Sequence, residues 1–376
     1  MVRLDSAGRD QRVGAHGLCL GSHHEEFSDL VPAKPDRNRV VALHEQIEAS
    51  GEGGAQTRQR LDWCRGERKL QAGNLLELLK GGSVGGHGNV SIRGLMTSEL
   101  VERMNGGTGV IAAELRPPRA ELEAGASIDA WIDTYHAVRG LTRNGTFVFL
   151  TDSAVGLKEE DNLRHLVINL GTDVPRSHVI PFLTCKHSVE YCLSYADRAR
   201  HHGFESLVVL GGDKHVGPPR CVEHAWQLRE MVRTREDQLA LGGWANPHSS
   251  PAAQVQHLLD DRVTAEFYLT QIVSHYSRPA VEKFLEEAAG RKLALPGMFG
   301  VFYYRSANPK TLKTLQQFLP VPAEDLIAEF AGGGTPESVC ARSIRELTAA
   351  GVRHFYVSNL PINRAAATLS RILEQV

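Results

Sequence analysis

The pattern of polar and apolar positions changes near residue 90. Before it, apolar residues recur with a helical period only near 40–49 and 70–79, and glycine runs and dense charges separate these pieces. Beyond Val110, short apolar runs alternate with stretches in which apolar residues recur every three or four positions. We therefore predict a partly ordered N-terminal extension over residues 1–90 and a single folded domain over residues 91–376.

Eight of the apolar runs have the length and the β-branched or aromatic content of strands. They are Val110–Leu115, Thr146–Thr151, Val179–Thr184, Ser206–Gly211, Leu239–Trp244, Ala265–Gln271, Gly297–Tyr304 and His354–Asn359. Helical patterns precede, separate and follow them at Ser91–Met104, Ile128–Arg139, Ser188–His202, Cys221–Thr234, Pro251–Val263, Arg278–Ala289, Pro309–Phe318, Pro336–Ala349 and Arg364–Glu374. This alternation predicts an α/β fold, a (β/α)8 TIM barrel. An open doubly wound sheet is the alternative, but no Gly-x-Gly-x-x-Gly turn follows the first strand.

The composition narrows the class of ligand. The 376 residues carry a formal net charge of −2, which argues against binding of nucleic acid and against a membrane-binding surface. The sequence has no apolar signal core at its N-terminus and no run of about 18 apolar residues that could span a membrane. We therefore expect a cytoplasmic protein that binds a small molecule.

The residue types that bind metals or form disulfides are dispersed along the chain. The six cysteines include no Cys-x-x-Cys pair, which favours isolated buried thiols in a reducing compartment. His23 and His24 are adjacent, but no third ligand follows at a suitable spacing, so we expect no metal site.

Polar side chains follow most of the predicted strands, at the end where a parallel barrel binds its ligands. In the segment Ala112-Ala-Glu-Leu-Arg-Pro-Pro-Arg119 the prolines stop the strand, because proline has no N–H for the ladder, and Glu114 is left at its end. Later strands end at Thr151-Asp152, Thr184-Cys185, Gly212-Asp213, Trp244, Asn246 and Thr270-Gln271. Carboxylates, an amide, hydroxyls and an indole at one mouth suit a flat, hydrogen-bonding heterocycle that develops positive charge.

Six short segments occur in the order and at the spacing of motifs in a known enzyme family. They are Glu114-Leu-Arg-Pro-Pro-Arg119, Pro181-Phe-Leu-Thr-Cys185, Leu210-Gly-Gly-Asp213, Trp244-Ala-Asn-Pro-His248, Leu269-Thr-Gln271 and His354-Phe-Tyr-Val-Ser-Asn359. Over about residues 108–376 the chain thus resembles the methylenetetrahydrofolate reductase family. The resemblance implies a (β/α)8 barrel that reduces 5,10-methylenetetrahydrofolate to 5-methyltetrahydrofolate with electrons from NAD(P)H, a step of one-carbon metabolism that supplies methionine biosynthesis.

The resemblance assigns roles to three of the polar residues. The reaction needs an acid to open the imidazolidine ring of the folate at N10, and it leaves an iminium at N5 that accepts a hydride. Glu114 matches the catalytic acid of the family. Burial in the barrel mouth should raise the pKa of this acid. Asp213 matches the aspartate beside the pterin, where its charge would stabilise the iminium. Gln271 matches the residue whose amide pairs with the pterin edge.

The resemblance also places Thr151, Phe182, Gly212, Trp244 and His248 among the cofactor-binding positions. Most of the family binds FAD there, so FAD is the cofactor that the resemblance implies.

Several flavin contacts of the family are altered in this chain. At three strand positions the family has a histidine, an arginine and a tyrosine, and this chain has Phe182, Gly211 and Trp244 respectively. On the helix before the sixth strand the family has an aspartate and a lysine, and this chain has Ala253 and Asp260. The loss of two cations leaves less positive charge to offset a pyrophosphate. Two mechanisms stay open: a ping-pong reaction through FAD, and direct hydride transfer from NAD(P)H to the folate, which the alterations favour. In the second, Phe182 and Trp244 would offer apolar faces to a nicotinamide or pterin ring.

Two other classes of function stay open. One is a pterin-binding barrel that transfers a methyl group from methyltetrahydrofolate, and the other is a non-catalytic regulatory relative. Retention of Glu114, Asp213 and Gln271 together argues against the regulatory relative. A homo-oligomer stays open, as does the choice between NADH and NADPH.

Overall fold

The computed structural model describes residues 98–118, 122–152, 170–171, 173–214, 217–260 and 264–376. The predicted extension over residues 1–90, including His23 and His24, lies outside the described residues. So does the first part of the helix predicted at Ser91–Met104.

Eight parallel strands close into a barrel, in which each strand pairs with its neighbours along the chain and β8 pairs with β1. The strands are β1 (Ile111–Leu115), β2 (Val148–Leu150), β3 (Val179–Thr184), β4 (Ser206–Leu210), β5 (Ala240–Ala245), β6 (Phe267–Val273), β7 (Gly297–Phe302) and β8 (His354–Ser358). The first and last residue of each strand differ by at most two positions from those of the predicted run. The predicted TIM barrel is confirmed.

Helices alternate with the strands through the described part of the chain. They are α1 (Glu99–Asn105), α2 (Ala124–Arg143), α3 (Val189–His201), α4 (Ala225–Arg235), α5 (Pro251–Leu259), α6 (Arg278–Gly290), α7 (Pro309–Leu315), α8 (Ala323–Ala331), α9 (Pro336–Ala349) and α10 (Ala365–Leu373). Helix α9 begins as the sequence indicates, because the Thr335 hydroxyl accepts a hydrogen bond from the Ser338 N–H at 3.2 Å.

Several helices differ from their predicted bounds. Helix α2 extends four residues further at each end than Ile128–Arg139, α5 ends at Leu259 before the predicted Val263, and α7 ends at Leu315 before the predicted Phe318. Helix α4 begins at Ala225 and not at Cys221, because the Cys221 N–H is bonded at 2.7 Å to the carbonyl of Cys185 and the segment before α4 follows the end of β3. Helix α8 was not predicted, although Glu324 and Asp325 in its first turn follow Pro322, which is typical of a helix start.

Successive side chains of each strand point alternately out of and into the barrel, and they form two separate apolar layers. Residues such as Ala113, Leu150 and Leu183 face outward and pack under the surrounding helices. The inward residues form a second layer, which includes Ala112, Phe149, Phe182, Leu269 and Tyr356. Helix α1 closes the amino-terminal end of this inner layer with Leu100, Val101 and Met104. Among the described residues, α1 thus covers apolar side chains at the end of the barrel opposite the carboxyl ends of the strands.

Tyr356 fills the barrel interior at the level of Gly300. The tyrosine is 1% exposed, and its hydroxyl donates a 2.5 Å hydrogen bond to the carbonyl of Thr270 on β6. A Cβ at Gly300 would lie 2.4 Å from the Tyr356 ring, so the absence of a side chain there is what admits the ring. The inner layer is thus closed below the mouth.

Candidate active site at the barrel mouth

Glu114 lies near the end of β1 and, two residues after the inward Ala112, points toward the barrel interior. Its neighbour across the closure of the barrel is Ser358, at the end of β8, whose hydroxyl donates a 2.6 Å hydrogen bond to Glu114 Oε1. Burial raises the pKa of Glu114, and the bond from Ser358 acts in the opposite direction without reversing the shift. The mouth therefore favours a protonated carboxylic acid, which is the form that can donate a proton.

Tyr356 lies on β8 two residues before Ser358 and, like its strand partner Ala112, faces the barrel interior. Burial and the negative charge of Glu114 raise the pKa of the phenol well above its ordinary value. Tyr356 therefore stays neutral and serves as a wall of the site, with its proton committed to the carbonyl of Thr270.

Gln271 and Trp244 line the opposite side of the mouth on β6 and β5. The pairing of β6 with β7 is irregular between Leu269 and Ile272, and Gln271 lies inside that irregularity. Its Oε1 accepts the Ile272 N–H at 2.9 Å, and its Nε2 makes no hydrogen bond to any residue that the structure describes. Trp244 is 37% exposed, a large fraction for an indole. An amide donor and an aromatic face are thus presented at the rim.

Asp213 follows β4 after Gly212, whose φ of 73° is the left-handed conformation that glycine adopts most readily. The Gly212 carbonyl accepts a hydrogen bond from the Arg220 guanidinium, which folds back from the following loop. Arg220 Cζ lies 2.7 Å from the point that a Cβ at Gly211 would occupy. A guanidinium therefore lies beside position 211, and sequence reasoning did not find it.

A carboxylate–imidazole pair stands at the ends of β2 and β3. Asp152 Oδ2 accepts hydrogen bonds from the Thr184 N–H at 2.7 Å and the Thr184 hydroxyl at 2.8 Å. The same oxygen lies 2.9 Å from His187 Nε2, and the side chains of Asp152 and His187 are 9% and 11% exposed. Sequence reasoning named Asp152 and Thr184 as strand ends but missed His187, whose only signal is its place three residues beyond β3.

The other predicted cofactor-binding residues occupy different depths. Thr151 follows β2, and its N–H bonds the Leu115 carbonyl at 3.1 Å. Phe182 is 4% exposed inside the barrel, with its ring centroid 5.8 Å from that of Phe149, so it forms part of the inner layer beneath the mouth. His248 lies on the exposed loop after β5, with Nε2 2.8 Å from the carbonyl of Ile272.

Among the described residues, no group of three or more His, Cys, Asp or Glu side chains is arranged to hold a metal ion. Within the same residues, none of the helices combines the length and the apolar character needed to cross a membrane.

No protein-family model and no curated protein matches the chain. Among solved structures, a protein from Clostridium thermocellum that binds two copies of 5-methyl-5,6,7,8-tetrahydrofolic acid is 15% identical, with a TM-score of 0.52 over 73% of this chain and 95% of that chain. An F420-dependent secondary alcohol dehydrogenase is 12% identical, with a TM-score of 0.44 over 72% of this chain and 99% of the other. Dihydrodipicolinate synthase from Bacillus clausii is 10% identical, with a TM-score of 0.41 over 73% and 75%. At these identities the first of these similarities shows a shared fold.

Proposed function

We propose that this protein reduces 5,10-methylenetetrahydrofolate to 5-methyltetrahydrofolate with NAD(P)H as the hydride donor. The observation that carries the proposal is Glu114, whose carboxyl group faces inward at the barrel mouth. Burial raises the pKa of this group. A carboxylic acid kept protonated near neutral pH is what opening of the folate ring requires.

The proposed chemistry uses three side chains of the mouth. Glu114 donates its proton to N10 as the bond from the methylene carbon to N10 breaks, and the methylene group remains on N5 as an iminium. The carboxylate of Asp213 stabilises this cation, and the Gln271 amide pairs with the pterin edge. A hydride from NAD(P)H then reduces the iminium to a methyl group, and Glu114 regains a proton from solvent.

The described residues fit FAD poorly. At the end of β4 the Arg220 guanidinium donates a hydrogen bond to the Gly212 carbonyl, which uses part of its capacity to bind a pyrophosphate. Asp260, where the resemblance implies a lysine, ends α5 and brings negative charge. This position therefore offers no cation to a pyrophosphate. We therefore propose direct hydride transfer, with the exposed indole of Trp244 as the face against which a nicotinamide or pterin ring stacks.

The similarity to a solved structure also supports a folate as the ligand. The Clostridium thermocellum protein of similar fold binds 5-methyltetrahydrofolate, which is the product of the proposed reaction. Transfer of a methyl group from that same compound is the second candidate, and it would need the pterin contacts of Gln271 and Asp213 but no nicotinamide.

The test combines the visible absorbance spectrum of the purified protein with NAD(P)H oxidation in the presence and absence of methylenetetrahydrofolate. We expect a colourless protein that oxidises NAD(P)H only when the folate is present. The Glu114→Gln variant should lose this activity, while Glu286→Gln, an exposed carboxylate on α6, should keep it.

Each other outcome contradicts part of the proposal. A bound flavin spectrum would contradict direct transfer. A colourless protein that binds methyltetrahydrofolate without oxidising NAD(P)H would favour the methyltransferase, and a protein that binds no folate would contradict both candidates.

A further inference from the structure

Three cysteines that are far apart in the sequence meet at the ends of β3 and β4. Cys185 follows β3, Cys192 lies on α3 and Cys221 lies in the loop before α4. The Cys221 thiol is close enough to those of Cys185 and Cys192 to exchange hydrogen-bonding interactions with both. The expectation of isolated thiols is therefore wrong for these three, because the barrel brings together two loops that the sequence separates.

A backbone hydrogen bond joins the segments that carry Cys185 and Cys221. The Cys221 N–H donates a 2.7 Å hydrogen bond to the Cys185 carbonyl. Segments joined in this way run about 5 Å apart, and disulfides join Cα atoms separated by about 4.4–6.8 Å. Both cysteines are free thiols in the structure, so formation of the bond requires oxidation but little movement of the chain.

Two arginines add an independent observation. Burial raises the pKa of the Cys185 thiol to about 12, and the charges of Arg220 and Arg229 act in the opposite direction. Arg229 is 6% exposed, and the Nε atoms of both arginines are buried and make no hydrogen bond to a described residue. Buried, incompletely paired guanidinium groups stabilise negative charge on a neighbouring atom. The two guanidinium groups thus offset part of the cost of a thiolate at Cys185.

We propose that Cys185 and Cys221 form a reversible disulfide when the protein meets hydrogen peroxide. The sulfur of Cys221, which is the partly exposed member of the group, attacks one peroxide oxygen; the O–O bond breaks, and a sulfenic acid and one water form. The Cys185 sulfur then attacks the Cys221 sulfur, the S–O bond breaks, and hydroxide leaves and takes the Cys185 proton as a second water. The two sulfurs lose two electrons and the peroxide gains them.

The site is distinct from a metal centre and does not depend on the proposed folate reaction. The three thiols are not arranged to hold a metal ion among the described residues. Cys185 is the neighbour of Thr184, which holds Asp152, and Cys221 is the neighbour of Arg220, which holds the Gly212 carbonyl. The disulfide would therefore join the two loops that flank the β3–β4 side of the mouth.

The test is peptide mapping of the full chain after oxidation. Burial raises the pKa of Cys185 to about 12 and also raises that of Cys221, so the reduced protein is treated with hydrogen peroxide at mildly alkaline pH, where more thiolate is present. Remaining thiols are alkylated, and the digest is analysed by mass spectrometry. We expect a Cys185–Cys221 peptide pair that a dithiol reductant removes.

Matched variants separate this pair from general oxidation. Cys221→Ser should abolish the cross-linked peptide, whereas Cys340→Ser, at a buried thiol on α9, should leave its yield unchanged. The proposal is overturned if Cys221 remains a free thiol, if it stops at an irreversibly oxidised acid, or if it pairs with Cys192 or with another cysteine of the chain. Circular dichroism of each variant shows that loss of the pair is not loss of the fold.

Discussion

The hydroxyl of Ser358 donates a 2.6 Å hydrogen bond to Oε1 of Glu114 and so connects the last strand of the barrel to the first. This contact sets the environment of the proposed acid, because the bond stabilises the carboxylate while burial favours the protonated form. The net direction is a raised pKa, so the burial of the mouth outweighs its nearest hydrogen-bond donor.

Removal of the Glu114 proton donor should abolish most of the proposed activity. Glu114→Gln keeps the size of the side chain and a hydrogen-bond partner for Ser358 but cannot protonate N10. We expect kcat to fall by roughly 10²–10⁴-fold, the range for loss of a general acid. Steady-state rates and a thermal melt measure this together, and retention of the rate within a few fold would refute the assignment.

Replacement of Ser358 by alanine should move the pH profile and not merely lower the rate. The Ser358 hydroxyl lowers the pKa of Glu114, so its loss raises that pKa further. Because the active form is the protonated acid, activity is lost as pH rises through this pKa, and the alkaline limb should shift to higher pH. The profile of kcat/KM measures the shift, and a limb that stays in place would show that another group controls it.

The raised pKa of Glu114 also predicts how stability depends on pH. The unfolded chain releases this proton near the ordinary glutamate pKa of 4.5, while the folded protein retains it to higher pH. The free energy of unfolding therefore decreases, for this group, as pH rises from 4.5 through the folded pKa. Urea unfolding at both ends of that window should show a larger decrease for the native protein than for Glu114→Gln, since the amide does not titrate. Equal decreases would contradict the burial argument.

The sequence predicted the barrel well because its signals are local. Each strand is a short apolar run, and the polar residue after it is visible in the same few positions, as with Glu114 after Ala112 and Asp213 after Leu210. Register then follows from closure of the barrel, which places Ser358 beside Glu114.

Apart from helix α8, the features that sequence reasoning missed are contacts between loops. The Arg220 guanidinium donates to the Gly212 carbonyl. The Cys221 N–H donates a hydrogen bond to the carbonyl of Cys185, which lies 36 positions earlier in the chain. His187 pairs with Asp152 in the same way, across a separation of 35 positions. No periodicity encodes such contacts, because they depend on how the segments between strands fold over the barrel mouth.

The close approach of Tyr356 to Gly300 gives a last prediction, about the wall below the site. A methyl group at position 300 would lie 2.4 Å from the Tyr356 ring, and the ring is fully buried and held by its bond to Thr270. Gly300→Ala should therefore lower the free energy of unfolding by about 1–3 kcal/mol, the usual cost of overpacking. Gly125→Ala, on α2 with no atom within 4 Å of the added methyl, is the matched control and should be neutral or stabilising. Urea unfolding of the two variants measures the difference. If Gly300→Ala matched Gly125→Ala, the tyrosine would have room to move, and the floor of the mouth would be less rigid than this packing implies.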